Sequence, residues 1–353
     1  MSKLDNMETL RAGDPQGMGE LIFRLPEQCQ EAREIAEKVA WPAQFKPRNA
    51  VVLGMGGSAI GGDLVRSLLE GELKVPMQVN RDYDLPAWVN QDTLVVASSY
   101  SGNTEETLSG YDAARQRGAQ VVAITTGGKL AERAKRDGVP LCLIPAGLPP
   151  RAALGYSMVP LFVMMGRMGL VADHSNWVDE AIQVLQDQRN ELGPAVPTAQ
   201  NRAKQLAELF FGKIPLVYGG EKWRGVAAMR WKTQLNENAK ALGFWNAFPE
   251  LNHNETVGWE APERLTQEVQ VVLLRDREDS VKISKRMDVT AQIMRPHVAG
   301  INEVWSVGTS PLARLLSLVY VGDFTTYYLA IMYGIDPFPV RVIDFLKSQL
   351  ATV

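Results

Sequence analysis

Short apolar runs separated by stretches of helical length dominate the chain from Ala50 onward. Val51-Val-Leu53, Met77-Gln-Val79, Thr93 to Ala97, Gln120 to Thr125 and Leu141 to Ile144 form one series; Ile214-Pro-Leu-Val-Tyr218, Val269 to Leu274 and Val304 to Val307 form a second. Runs this short, rich in β-branched residues and spaced by helix-sized intervals, predict parallel strands buried on both faces, with helices as the crossovers. The fold class is therefore α/β. Both series open alike, with an apolar run, a Gly-Gly turn and a helical segment, at Val51 to Gly57 and again at Ile214 to Gly220. Two related domains follow from this, a diverged repeat of far longer period than a solenoid's.

A chain of 353 residues with 46% apolar content is long enough for two such domains. Residues 1–46 read as a helical N-terminal preface punctuated by prolines, 47–190 as the first domain, and 191–353 as the second, ending in a helix. The division near 190 rests on Gly193-Pro-Ala-Val-Pro-Thr198, which breaks an otherwise helical run. Residues 152–170, rich in Met and Leu and apolar nearly all round, predict a helix buried between layers.

Composition removes several classes of function. With 37 Lys and Arg against 40 Asp and Glu and no basic run, the chain carries no footprint for nucleic acid. Two cysteines, Cys29 and Cys142, supply neither a disulfide framework nor a tetrahedral metal set, which suits a reducing cytoplasm. The opening Met-Ser-Lys-Leu-Asp-Asn-Met-Glu lacks the apolar core of a signal peptide, and Arg167 and Asp323 interrupt the longest apolar stretches. Both features argue against export and against a membrane span.

Two turns ask for an anion. Leu53-Gly-Met-Gly-Gly-Ser-Ala-Ile-Gly-Gly-Asp63 leaves a strand and enters a helix. Gly56 and Gly57 permit close approach, the first helical amides lack intrahelical partners, and Ser58 adds a hydroxyl. Ser98-Ser-Tyr-Ser-Gly-Asn-Thr-Glu-Glu106 repeats the arrangement after the third run: Ser99, Ser101 and Thr104 offer hydroxyls where a helix begins. Neither turn holds the lysine of a nucleotide triphosphate loop, so a small phosphate monoester fits better. Gly54-Met-Gly-Gly-Ser-Ala59 also satisfies the dinucleotide pattern G-x-G-x-x-A, but the acids after the second run, Asp82 and Asp84, lie beyond the usual spacing of about 20 residues. A dinucleotide would leave the hydroxyl-rich second turn unexplained. The plain reading, in which glycines make a turn and Ser99 and Thr104 cap a helix, remains open at this stage.

These two turns, with Pro149-Pro-Arg151, Thr233-Gln-Leu-Asn-Glu-Asn-Ala-Lys240 and Asn252-His-Asn-Glu255, resemble the sugar isomerase (SIS) domain family, and within it the isomerases of glucose and mannose 6-phosphates. The resemblance runs from about Asn49 to the C-terminus. It implies two SIS-type domains, each a mainly parallel sheet flanked by helices, and an aldose–ketose isomerase that interconverts glucose 6-phosphate, and mannose 6-phosphate, with fructose 6-phosphate through an enediolate. It implies that Gly56, Gly57, Ser58, Ser99, Ser101 and Thr104 contact the phosphate. It further implies Glu237 as the base for proton transfer between C2 and C1, Arg151 as the cation beside the enediolate, and His253 and Lys347 in ring opening, with His253 delivered across a homodimer. No metal and no organic cofactor is expected.

Residue pattern alone reads these four differently. In a helix of residues 224–242 with a core stripe of Ala227, Trp231, Leu235, Ala239 and Leu242, Glu237 sits about 200° around from that stripe, as a solvated glutamate would. Arg151 reads as exposed in a Pro-rich turn, His253 as an exposed loop histidine, and Lys347 as a cation at the end of a C-terminal helix of residues 340–348. Where relatives in this group often carry a small hydroxyl residue after Asp-Pro, this chain has Phe338, which puts the mannose activity in question. A non-catalytic phosphosugar sensor and an amino-sugar phosphate isomerase are the two alternatives.

Overall fold

The computed structural model describes residues 2–350. Two compact units divide the chain, one made of residues 24–186 with 307–317, the other of residues 1–23, 187–306 and 318–353. Residues 1–46 are therefore shared between the units, and residues 307–317 count with the first.

The strands are β1 (Asn49–Leu53), β2 (Met77–Asn80), β3 (Thr93–Ser99), β4 (Gln120–Thr125), β5 (Leu141–Leu143), β6 (Ile214–Gly219), β7 (Phe244–Ala247), β8 (Val269–Arg275) and β9 (Gly300–Trp305). The helices are α1 (Met7–Gly13), α2 (Met18–Phe23), α3 (Leu25–Glu37), α4 (Gly56–Leu69), α5 (Glu105–Gln116), α6 (Gly128–Arg136), α7 (Leu154–Arg167), α8 (Ser175–Leu192), α9 (Arg202–Phe210), α10 (Trp223–Glu237), α11 (Glu263–Thr266), α12 (Val281–Met294), α13 (Pro311–Tyr333) and α14 (Arg341–Leu350).

In the 24–186 unit the sheet runs β2-β1-β3-β4-β5, with every pairing parallel. β3 is buried along its whole length, as a strand covered on both faces must be. On one face Val51, Leu53, Val95 and Ala97 pack with Leu108 and Tyr111 of α5. α7 is the expected buried helix, and it approaches α4 closely because Gly61 leaves no Cβ to meet Ser157.

The other unit holds the sheet β7-β6-β8-β9, again wholly parallel and in the same relative order as the first four strands of its counterpart. That shared order is the repeat the two Gly-Gly turns predicted. Its core gathers Leu216, Tyr218, Phe248, Leu251, Val271, Leu273 and Met287. β7 had no counterpart among the predicted runs, and the last strand lies at 300–305 rather than 304–307. α10 ends at Glu237 instead of 242; Ala227, Trp231, Leu235 and Ala239 are buried as predicted, whereas Leu242 is 67% exposed. α13 is long and apolar enough to cross a membrane by length and composition, and 94% of its most apolar window is buried within the protein. Its one acid there, Asp323, is buried against the Arg230 guanidinium of α10.

Candidate active site

Both predicted turns stand at the C-terminal ends of neighbouring strands, β1 and β3, where open parallel sheets hold ligands. Gly56 turns with φ +50° into α4, and Met55 at its N-cap gives the helix no side-chain hydrogen bond. Gly57 serves a different purpose. A Cβ there would lie 2.6 Å from the Pro150 carbonyl oxygen and 3.2 Å from the Arg151 nitrogen, so its lack of a side chain lets the segment carrying Arg151 rest on the turn.

The second turn closes in the same way. Gly102 has φ +69°, and a Cβ on it would collide with the Gly127 carbonyl, so no other residue fits. Thr104 occupies the N-cap position of α5, yet its side chain makes no capping hydrogen bond; its hydroxyl lies 2.9 Å from Ser99 Oγ. Ser99 Oγ also accepts from the Gly102 N–H at 3.1 Å. The plain capping reading thus fails for Thr104. Two helices, α4 and α5, begin side by side with no side-chain cap from their N-cap residues, which is how a helix start receives an anion.

Tyr100 joins these pieces. Its N–H donates to Ser58 Oγ at 3.2 Å, which links the two turns. Its carbonyl accepts from both the N–H and the hydroxyl of Thr126. Its phenol donates to the Pro145 carbonyl and accepts from the Leu148 N–H, each at 3.0 Å, holding the start of the segment that leads to Arg151. Arg151 itself is 3% exposed, in a 3-10 turn at Pro150–Ala152, so the expectation of an exposed arginine is overturned. Ser58 and Ser99 are buried and Ser101 is exposed, its Oγ accepting from the Asn103 N–H. The predicted phosphate contacts and Arg151 therefore belong to one unit and one end of one sheet.

Glu237, His253 and Lys347 belong to the other unit. Glu237 is the last residue of α10 and half-buried rather than solvated. A buried polar ladder fixes its helix: Arg230 and Gln234 both donate to Asp323, and Asn238 donates to Thr326 Oγ1 of α13. His253 ends a 3-10 turn at Glu250–His253 and is exposed. Its loop is anchored by Glu255, which accepts hydrogen bonds from the Tyr218 hydroxyl and the Asn246 amide. Burial and the adjacent Glu255 charge both push the Tyr218 phenol well up, so it stays a donor. Lys347 lies on α14, a helix with no buried residue.

Residues 199–350 match the family model described as the bacterial phospho-glucose isomerase C-terminal SIS domain, and residues 45–141 match the SIS domain model. A bifunctional phosphoglucose/phosphomannose isomerase of Caldicellulosiruptor bescii is 46% identical over 95% of this chain and 99% of its own length. The chain belongs to this SIS-domain isomerase family. A D-glucosamine-6-phosphate 4-epimerase of Sulfolobus acidocaldarius is 32% identical over 89% of the chain and 89% of its own length. The fold of a hypothetical protein of Thermus thermophilus superposes with a TM-score of 0.75 at 16% identity, covering 98% of this chain and 93% of that one.

Family membership makes the residues that sequence reasoning passed over more telling. Tyr100 sat unremarked inside the hydroxyl stretch, because an aromatic between serines carries no pattern of its own. Glu255 and Lys240 lie in the segments that carried the family resemblance, yet nothing in spacing announces that one anchors a loop and the other a helix end. Among the described residues no group of three or more His, Cys, Asp and Glu side chains is placed to hold a metal ion.

Proposed function

We propose that this chain interconverts glucose 6-phosphate and mannose 6-phosphate with fructose 6-phosphate. The observation that carries the reading is the pair of adjacent helix starts, free of side-chain caps and lined by Ser58, Ser99, Ser101 and Thr104, with Arg151 packed on Gly57. Phosphate oxygens accept from those amides and hydroxyls, which anchors one end of the sugar and turns its chemistry into an intramolecular problem.

His253, delivered by the second subunit of a homodimer, and Lys347 open the ring: the C1 hydroxyl loses its proton, the bond from C1 to the ring oxygen breaks, and that oxygen is protonated. The Glu237 carboxylate then takes the proton from C2, leaving an enediolate whose charge Arg151 offsets; Glu237 returns that proton to C1 while the O2 hydroxyl proton passes to O1, which gives the ketose. A positioned base is worth about 10²–10⁴-fold, so fixed positive charge must supply much of the remainder.

The test is a steady-state assay in EDTA with each aldose, run on the wild type and on Glu237→Gln. Turnover that the substitution lowers by about 10³-fold supports the reading. Tight phosphosugar binding with no turnover favours a sensor instead. A second reading has a specific observation behind it, the relative named as a glucosamine-6-phosphate epimerase. Including glucosamine 6-phosphate in the assay decides between them.

A further inference from the structure

Lys240 adopts φ +53°, a left-handed conformation in which glycine is the usual residue and a side chain is a burden. It does so just past α10, where the chain turns back and the Ala241 N–H donates to the Leu235 carbonyl. Asn236 Nδ2 fastens the same turn by donating to the Ala241 carbonyl at 2.8 Å. Glycine would make this turn with less strain, so the reason for a lysine lies in its ammonium.

That ammonium donates to the Glu237 carbonyl at 2.7 Å, to the Asn238 carbonyl at 3.4 Å and to the Pro337 carbonyl at 3.0 Å. Two of these oxygens are at the C-terminal end of α10, where a cation is favoured by the helix dipole. The third belongs to the Asp336-Pro-Phe338 turn, itself closed by the Phe338 N–H donating to Asp336 Oδ1 at 2.9 Å. From that turn the chain runs directly into α14 and Lys347. One side chain therefore spans the end of the Glu237 helix and the entry to the Lys347 helix. A strained backbone held in place by such a span is a feature from which a functional role is inferred.

We propose that Lys240 is a positioning residue, holding Glu237 in register with the segment that leads to Lys347. The proposal rests on the isomerase reading above and adds to it the element that keeps those two residues aligned. The span is made to backbone oxygens, and the hydroxyls of residues 58–104 belong to the other unit, so loss of the ammonium disturbs proton transfer and leaves phosphate anchoring intact.

The experiment compares wild type, Lys240→Met, Lys240→Gly and Lys240→Arg, using glucose 6-phosphate and its C2-deuterated form. In the Met and Gly variants kcat falls about 10- to 100-fold while KM stays within about threefold, the size of effect expected from a misplaced group. The deuterium isotope effect on kcat rises in both, and Arg restores much of the rate. Glycine relieves the backbone strain, so Lys240→Gly keeps a melting temperature no lower than that of Lys240→Met, and its lost rate cannot be put down to unfolding. Unchanged kcat in both variants, or a fall in kcat that tracks a fall in melting temperature with no change in isotope effect, overturns the proposal alone. Absence of turnover in the wild type overturns it together with the isomerase reading.

Discussion

The two Gly-Gly turns occupy equivalent places in two sheets of the same strand order, and they are furnished in opposite ways. At the end of β1 the partners across the turn are hydroxyls, Ser99 and Ser101. At the end of β6 the facing chain leaves β8 as Arg275-Asp-Arg-Glu-Asp-Ser280, and the turn is filled from within. Arg224, from the first turn of α10, pairs with Asp276 at 2.7 Å and with Asp279 at 2.8 Å, and Ser306 donates to the other oxygen of Asp276. The close approach at Gly219 is likewise internal: a Cβ there would meet the Arg224 carbonyl at 2.3 Å, whereas Gly57 accommodates the Arg151 segment. Burial raises the Asp276 carboxyl, but the Ser306 hydroxyl and the Arg224 guanidinium outweigh it and hold it below the ordinary value. Its negative charge repels phosphate. One architecture thus yields a hydroxyl-lined turn and a turn filled by its own ion pairs, and the side chains at two strand ends decide which.

The largest effect is expected when the first turn is made to resemble the second. Ser101 is exposed, so Ser101→Asp leaves the fold intact while placing a carboxylate among the hydroxyls proposed to hold the phosphate. Like charges at that distance cost several kcal/mol, and KM for glucose 6-phosphate is expected to rise by several hundredfold, about 3–4 kcal/mol. An unaltered KM would remove the phosphate from this turn altogether.

What the sequence made legible follows the same line between pattern and partnership. Strands and buried helices announce themselves through runs of apolar residues, and so do glycine turns, because those residues have few other uses. The misses come where tertiary partners decide. β7, Phe244 to Ala247, is a four-residue edge strand with Phe244 and Trp245 exposed, and so shows no buried run. α10 stops at Glu237 because Lys240 turns left-handed, with no glycine or proline to signal it. Thr104 at a helix start reads as a cap in any sequence; only the hydroxyl of Ser99 beside it shows that its side chain is engaged elsewhere. Arg151 looked exposed because nothing in Pro-Pro-Arg reveals that the backbone beside it packs on Gly57.

A second change works on the filled turn. Arg224→Ala leaves Asp276 and Asp279 facing each other without their shared cation, in a place where the side chains are 0% and 5% exposed. Stripping one partner from a buried pair costs about 3 kcal/mol, so thermal unfolding should begin markedly earlier. The hydroxyl-lined turn lies in the other unit and has no part in that pair, so KM for the phosphosugar should hold. If KM rises with the loss of stability, the two turns are not independent and the contrast drawn between them is too simple.

The smallest effect sharpens the contrast from a third helix start. Where the N-cap residues of α4 and α5 give no side-chain bond, the start of α13 has several: the Ser310 hydroxyl accepts from the Ala313 N–H, and the Glu180 carboxylate accepts from the N–H groups of Thr309 and Ser310, just ahead of Pro311. Burial by itself would raise this carboxyl, yet those amide hydrogen bonds hold it below its ordinary value of 4.5. A folded-state pKa below the unfolded one means the contribution is whole at pH values above the unfolded pKa and disappears as pH falls through the folded value. Wild type should therefore lose more stability between pH 7 and the acid side of 4.5 than Glu180→Gln does, by about 1 kcal/mol, the usual worth of such a cap. Melting curves at the two pH values measure it. A protein carboxylate at one helix start is the internal analogue of the phosphate proposed for α4 and α5, and equal acid sensitivity in the variant would show that these amides gain little from a negative charge.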